Sequence, residues 1–172
     1  MSFAGQNKGY KYMLTVIDIF SKYVWAITIK SKCGDDVKQA MESVLVQGQV
    51  PKNSHVDRGP EFYNSKSESL MSRYGIELYS TYSNLKASIC KRFNRTLEGE
   101  MWTPFSMQGS YEWLDILPDL ISTYNITKHP SIRMKPSDVT VANERRIFQI
   151  YLQYLTELRI VRDGKIVALS ET

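Results

Sequence analysis

The sequence predicts an α/β domain in which a mixed β-sheet is flanked by helices. Strand-like segments come first in the chain, and helical segments then alternate with further strands. The composition agrees, because 172 residues with 42% hydrophobic side chains can bury a substantial core. We find no internal repeat and no low-complexity linker in the sequence.

The strand predictions come from β-branched and aromatic residues. Residues 10–20 and 22–30 are rich in both, and the "SK" dipeptide between them suits a tight reversal, so the two segments predict a hairpin. Residues 54–62 predict a short strand followed by a turn. Residues 75–80 begin on Gly75 and predict another strand.

The helix predictions come from apolar spacing. Residues 34–47 carry five apolar side chains on one helical face, namely Val37, Ala40, Met41, Val44 and Leu45. Four further helices are predicted over residues 61–74, 84–101, 110–127 and 140–159. In the helix over 110–127, Ser110 is the expected N-cap and Pro118 is expected to cause a kink. Residues 160–172 are expected to fray.

Charge, cysteines and histidines limit the possible functions. The net charge of +4 permits a polyanionic partner without requiring one. Two cysteines, Cys33 and Cys90, are too few for a disulfide framework and lack the spacing of a zinc site. His55 and His129 do not form the closely spaced pair that zinc sites use. No apolar run reaches the roughly 18 residues of a membrane span. We therefore expect a nuclear or cytoplasmic protein without a membrane partner.

Four segments together resemble the catalytic core of integrases. They read "GYKYMLTVIDIFSKYVWAITIKSK", "HVDRGPEFYN", "YSTYSNLKASICKRFNRTLEGEMW" and "YNITKHPSIRMKPSDV". The sequence is most similar to integrases of Maverick/Polinton-type transposons, which are related to retroviral integrases. The resemblance covers residues 8–140 and leaves 141–172 as a helical extension with a frayed tail. It implies an RNase H-like fold and the ancestry of a polynucleotidyl transferase.

The chemistry of this family needs three carboxylates that hold two Mg²⁺ or Mn²⁺ ions at the reacting phosphodiester. The second family Asp matches Asp57, whose alternative role is to cap the following helix. The family Glu falls in the run "KRFNRTLE", where this chain has Lys91. Because Mg²⁺ requires oxygen ligands, an ammonium cannot replace that Glu. The Lys91 ammonium could instead pair with Asp57 and replace the charge of the metal.

No residue of this sequence matches the first Asp of the family's three metal-binding carboxylates. Asp18 resembles an Asp of the family's second strand, which is not a metal ligand. The ligand belongs on an upstream strand, so the sheet is expected to lack that first strand. Glu98 lies two helical turns, or about 10 Å, beyond Lys91 and is too distant to substitute. Glu61 is expected to stabilise a helix start rather than bind metal.

The resemblance also predicts a DNA-binding surface on the long helix. The candidates are Lys86, Arg92, Asn94 and Arg95, together with Lys91. Contacts of this kind bind phosphates and provide affinity without sequence information. The alternative is an ordinary solvated helix face.

Three functions are compatible with this pattern. The first is a transposon-derived integrase core that is catalytically inactive, needs no metal as it stands, and binds DNA weakly and without sequence preference. The second is an active Mg²⁺-dependent strand transferase whose first strand lies outside the present sequence. The third is a non-functional relic. Whether the chain is an enzyme stays open, and a homodimer is a family expectation.

Overall fold

A computed structural model describes residues 3–47, 50–56, 59–80 and 88–161, with side chains described for 89–153 within the last range. Strands β1 (Tyr12–Ile17) and β2 (Val24–Ile29) form the predicted antiparallel hairpin. Tyr12 lies opposite Ile29, and Ile17 lies opposite Val24. The Asp18 carboxylate closes the connecting turn by accepting hydrogen bonds from the backbone N–H and the hydroxyl of Ser21.

A second pair of strands is parallel. Strand β3 (Asn53–His55) pairs with β4 (Glu77–Tyr79), and helix α2 (Ser65–Tyr74) connects them. The described part of the chain thus contains one antiparallel and one parallel ladder, in two separate two-stranded sheets. No ladder joins the two pairs within the described residues.

Helix α1 (Gly34–Gln47) has the bounds that its apolar spacing predicts, and its five apolar side chains are buried. Helix α2 begins four residues later than predicted, because the Asn64 side chain accepts hydrogen bonds from the backbone N–H groups of Lys66 and Ser67. Gly75 ends α2 with a φ of 66°, which only glycine adopts at low cost.

Helix α3 (Ser88–Gln108) extends seven residues beyond the predicted end. Leu97, Met101 and Phe105 follow one another at intervals of four and are all buried, so their packing continues the helix through Pro104. Proline removes one backbone hydrogen bond inside a helix, and the burial of this apolar face offsets that cost.

Helix α4 (Leu117–Ile126) is shorter than the predicted helix over 110–127. The prediction of Ser110 as its N-cap is wrong, because Ser110 lies outside the helix, directly after Gly109. Pro118 does not interrupt α4 but occupies its first turn, where a missing N–H costs no helical hydrogen bond.

Helix α5 (Glu144–Val161) follows two short 3-10 turns, Pro136–Asp138 and Val141–Asn143. The hydroxyl of Tyr151 donates to the carbonyl oxygens of the β1–β2 turn, at 2.9 Å from Phe20. The predicted frayed tail lies mostly outside the described residues, and the boundary at residue 140 stays a prediction. Among the described residues, no helix is long and apolar enough to cross a membrane.

The two faces of the β1–β2 hairpin are covered by different helices. Leu14 packs in a cluster with α1 and α2, whereas Met13 and Ile17 pack against a cluster built from α3 and α4. This alternation follows from the opposite directions of successive side chains along a strand. The hairpin is thus buried on both faces.

Candidate functional site

A cavity of about 1210 Å³ lies between the two strand pairs. One side is strand β1, and the opposite side is strand β3 with Val56 after it. Helix α1 forms an apolar wall, to which it contributes Val37, Met41, Val44 and Leu45. Helix α3 forms a mixed wall, to which it contributes Ile89, Cys90, Lys91, Asn94, Leu97, Glu98 and Met101.

The structure shows where part of the predicted site lies. Asp57 and Lys86 are outside the described residues, so their predicted roles stay predictions. Lys91 is exposed on α3 and lines the cavity. Arg92 and Arg95 are also exposed on α3, as phosphate-binding side chains must be. The proposed pairing of Lys91 with Asp57 likewise stays a prediction.

Asn94 differs from the other predicted DNA-binding residues, because it is half-buried and contacts the hairpin. Its side-chain oxygen accepts a hydrogen bond of 2.9 Å from the Thr15 hydroxyl on β1. The Sγ atom of Cys90, one turn earlier, lies 3.6 Å from the same hydroxyl. Asn94 therefore connects α3 to β1, whatever further role it has in binding.

The described carboxylates do not form a metal site. Asp18, Glu61 and Glu98 all line the cavity. Both carboxylate oxygens of Asp18 accept hydrogen bonds within the hairpin turn. No group of three His, Cys, Asp or Glu residues able to hold a metal ion occurs within the described ranges. Mg²⁺ requires oxygen ligands, whereas Lys91 on the α3 wall offers an ammonium.

A buried cation lies close to the basic face of α3. Lys22 is only 8% exposed, and its ammonium donates to the carbonyl oxygen of Ile19 at 2.5 Å. The pKa of Lys22 lies below its usual value, mainly because burial disfavours the charge, and Arg92 lowers the pKa further while Asp18 raises it. The ammonium also lies 5.2 Å from the centroid of the Tyr151 ring.

His129 belongs to the same region. Burial lowers its pKa, and the positive charge of Lys22 lowers it further. The Nδ1 atom of His129 accepts a hydrogen bond of 3.2 Å from the backbone N–H of Ser131. A neutral imidazole accepts this bond, so protonation of Nδ1 would remove it.

Two buried asparagines that the sequence did not single out hold the α3 side of the domain together. Asn7, which is 0% exposed, accepts from the N–H of Trp113 at 2.7 Å and donates to the carbonyl of Tyr111 at 2.9 Å. Asn125 on α4 accepts from the N–H of Val24 at 3.0 Å and donates to its carbonyl oxygen at 2.9 Å. Asn125 stands between the apolar residues Tyr124 and Ile126, which is its only sequence signal, whereas Asn7 stands between Gln6 and Lys8 and has none.

Comparison of the fold with solved structures identifies its class. One similar structure is a simian T-cell lymphotropic virus intasome in complex with the PP2A regulatory subunit B56 gamma. It has a TM-score of 0.69 and 16% identity, over 77% of this chain and 49% of that chain. Another is the HTLV-2 integrase catalytic core domain in complex with magnesium, in a trimeric form. It has a TM-score of 0.65 and 15% identity, over 76% of this chain and 85% of that chain. The fold is therefore the RNase H-like fold of retroviral integrase cores.

Sequence comparison finds a matching domain family and several relatives. Residues 2–82 match the integrase core domain. An uncharacterised transposon-derived protein of Caenorhabditis elegans is 32% identical over 134 residues, which are 77% of this chain and 47% of that protein. The Gag-Pol polyprotein of gibbon ape leukemia virus is 27% identical over 90% of this chain and 10% of its own length. The chain is thus similar to the integrase core domain over residues 2–82 and to transposon-derived and retroviral proteins, and it spans about half of the first relative.

Proposed function

We propose that this chain is a transposon-derived integrase core that binds DNA without sequence preference and no longer catalyses metal-dependent strand transfer. Its position within the Maverick/Polinton branch is part of the proposal and rests on the four sequence segments described above. The observation that carries the loss of catalysis is the exposed ammonium of Lys91 on the cavity wall formed by α3.

The argument from Lys91 is electrostatic. Two divalent cations in one site need several carboxylates to balance their charge, and a nearby ammonium repels them instead. At the sequence position where the integrase motif has a Glu, this helix presents that ammonium. Even if Asp57 keeps its ancestral orientation, metal binding would then be weakened by both a lost ligand and an added positive charge.

A magnesium titration of three variants tests this argument. We expect Lys91→Glu to bind Mg²⁺ more tightly than the parent, and Lys91→Gln, which removes the charge without adding a ligand, to lie between them. Isothermal titration calorimetry measures all three. If the parent binds Mg²⁺ as tightly as the Glu variant does, Lys91 does not block the site and the proposal fails.

A strand-transfer assay separates this proposal from the active enzyme. The parent and Lys91→Glu, each extended upstream by the first strand that the active alternative requires, are incubated with labelled duplex DNA in Mg²⁺ and in Mn²⁺. The proposal expects no strand-transfer product from the parent in either metal. Product formed by the parent would establish the active Mg²⁺-dependent alternative and refute the inactive one.

DNA binding is proposed from the exposed cations Arg92 and Arg95 on α3, with Lys91 one turn from Arg95. Anisotropy of a fluorescent duplex, measured at several salt concentrations, reports the number of phosphate contacts. Each contact contributes about 0.9 to the slope of log affinity against log salt. Arg92→Gln and Arg95→Gln should each reduce the slope by about that amount, whereas a duplex of unrelated sequence should bind equally well.

Self-association is part of the same proposal, because a similar solved integrase core is in a trimeric form. Sedimentation velocity over a range of protein concentrations measures it. A chain that stays monomeric at all concentrations would remove this part of the proposal and leave the DNA-binding part intact.

A further inference from the structure

The turn that follows α4 carries an excess of positive charge. Residues 128–135 read "KHPSIRMK" and contain three cations and no carboxylate. All three cations are exposed, namely Lys128, Arg133 and Lys135. Within the described residues, none of the three takes part in an ion pair. The nearest carboxylate along the chain, that of Asp138, accepts a hydrogen bond from the hydroxyl of Ser137. The turn therefore presents unpaired positive charge to solvent.

The backbone of this turn has a defined conformation. The N–H of His129 donates to the carbonyl oxygen of Met134 at 2.9 Å, which forms an antiparallel bridge. The N–H of Arg133 donates to the carbonyl oxygen of His129, also at 2.9 Å. Ile132, which is 1% exposed, packs into the interior of the protein. Because the turn is already ordered, a ligand that binds its cations loses little affinity to ordering of the backbone.

Arg133 carries a long side chain at a position that favours glycine. Its φ of 55° lies in the left-handed region, where a residue with a Cβ atom is strained. Lys22, with a φ of 62°, is a second cation in this conformation. Glycine would adopt either conformation at lower cost. An observed backbone outlier is a reason to look for function, and the charge of Arg133 is the property that glycine would lose.

The turn continues the basic face of α3. The ring centroid of Tyr124 on α4 lies 5.0 Å from that of Phe93 on α3 and 6.2 Å from that of His129 in the turn. Burial lowers the pKa of His129, and the charge of Lys22 lowers it further. Burial also lowers the pKa of Lys22, and the charge of Arg92 adds to that effect. The turn and the exposed Arg92 therefore lie close together on the α3 side of the hairpin.

The exposed groups of the turn fit a phosphate backbone better than they fit bases. Proteins bind single-stranded nucleic acid with cations and with aromatic rings on which the bases stack. The ring in this turn is that of His129, which is half-buried and packs against Tyr124. Cations on an ordered surface bind the phosphates of a duplex without reading its sequence. The chemistry of the turn therefore favours duplex DNA.

We propose that the turn over residues 128–135 is a second phosphate-binding surface for the DNA duplex that contacts Arg92 on α3. Its contacts are the three exposed cations Lys128, Arg133 and Lys135. This inference rests on the DNA binding proposed above and extends the binding surface from one helix to a helix and a turn. Each phosphate that a cation neutralises releases counterions, so the cations of the turn steepen the salt dependence of binding.

Three substitutions of Arg133 in the full chain test the inference. Anisotropy of a fluorescent duplex, measured at several salt concentrations, gives the slope of log affinity against log salt concentration. Arg133→Gly and Arg133→Gln should each reduce this slope by about 0.9, whereas Arg133→Lys keeps the charge and should keep the slope. Arg133→Gly also relieves the backbone, so it should weaken DNA binding without lowering the melting temperature. An unchanged slope in Arg133→Gly would overturn the inference.

A matched control separates the turn from the net charge of the protein. Lys66 is an exposed cation on α2, on the opposite face of the hairpin, where it pairs with Asp35. Lys66→Gln should leave the slope unchanged. A reduction equal to that of Arg133→Gly would mean that the duplex responds to net charge, and the inference would fail.

The same titrations distinguish this inference from the proposed function. If Arg92→Gln reduces the slope and Arg133→Gly does not, α3 binds DNA and the turn does not. If the parent binds no duplex, the proposed DNA binding and this inference both fail. A single strand of equal length that binds more tightly than the duplex would overturn the choice of duplex DNA as the partner.

Lysine footprinting locates the duplex on the surface. A soluble acylating reagent modifies exposed lysines, and mass spectrometry measures the rate at each one. Bound duplex should slow the modification of Lys128 and Lys135 several-fold and leave the rate at Lys66 unchanged. Equal rates at Lys128 and Lys135 with and without saturating duplex would overturn the inference.

Discussion

The two faces of the β1–β2 hairpin are built differently. The face toward α1 and α2 is an apolar cluster that includes Leu14, Met41 and Leu70. Two ion pairs lie at its surface, Lys66 with Asp35 and Arg73 with Glu42. Exposed pairs of this kind contribute little to stability. The first face is therefore held by apolar burial.

The face toward α3 and α4 is held by apolar burial and by long-range polar contacts. Asn94 bonds to Thr15, Asn125 bonds to Val24, and Asn7 bonds to Trp113, each between segments far apart in sequence. The candidate site residues Lys91, Arg92 and Arg95 lie on the same helix as Asn94. The difference indicates that the functional side of the domain depends on a few specific hydrogen bonds.

The largest expected effect compares one leucine on each face. Leu70→Ala on the α1 face should cost about 2–5 kcal/mol of unfolding free energy, because Leu70 is 1% exposed and lies outside the cavity lining. Leu97→Ala should cost less, since Leu97 already borders the cavity and loses fewer contacts. Urea denaturation measures both, with exposed Val46→Ala as the control. Equal costs would mean that the two faces are equally well packed.

The accuracy of the sequence predictions differs between the same two faces. The bounds of α1 and the existence of the hairpin follow from local apolar spacing and β-propensity, which one segment contains by itself, whereas the hairpin strands are shorter than predicted. The end of α3 predicted from the sequence comes too early. Phe105 packs in one cluster with Trp113, and this tertiary contact carries the helix through Pro104. The inward orientation of Asn94 could not be predicted from the sequence, because it depends on where the fold places Thr15.

The second prediction concerns Asn125, a buried side chain that joins α4 to Val24 on β2. Asn125→Ala should leave the N–H and C=O of Val24 buried without partners, at a cost of about 1–3 kcal/mol for each group. The neighbouring exposed Ile126→Ala on the same helix is the control and should change stability little. Thermal unfolding of both variants provides the measurement. If Asn125→Ala does not change the free energy of unfolding, water reaches the backbone groups of Val24.

The third prediction measures the connection between α3 and β1. In a double-mutant cycle of Thr15→Val and Asn94→Ala, we expect a coupling energy of about 0.5–1.5 kcal/mol from the single hydrogen bond. The same variants in DNA titrations test whether Asn94 also contacts phosphate. The decisive outcome is a lower slope of log affinity against log salt concentration in Asn94→Ala and an unchanged slope in Thr15→Val. Asn94 then binds DNA directly in addition to its structural role.

The smallest effect concerns pH and His129, which lies beside Lys22 on the α3 side. Because the folded protein lowers the pKa of His129 below its usual 6.5, the unfolded chain binds the proton more readily. Stability should therefore fall as the pH drops below about 6.5, and it should be fully restored above that value. His129→Gln should show a weaker loss between pH 7 and pH 5 in urea denaturation. An identical pH profile for the two proteins would assign the acid sensitivity to other groups.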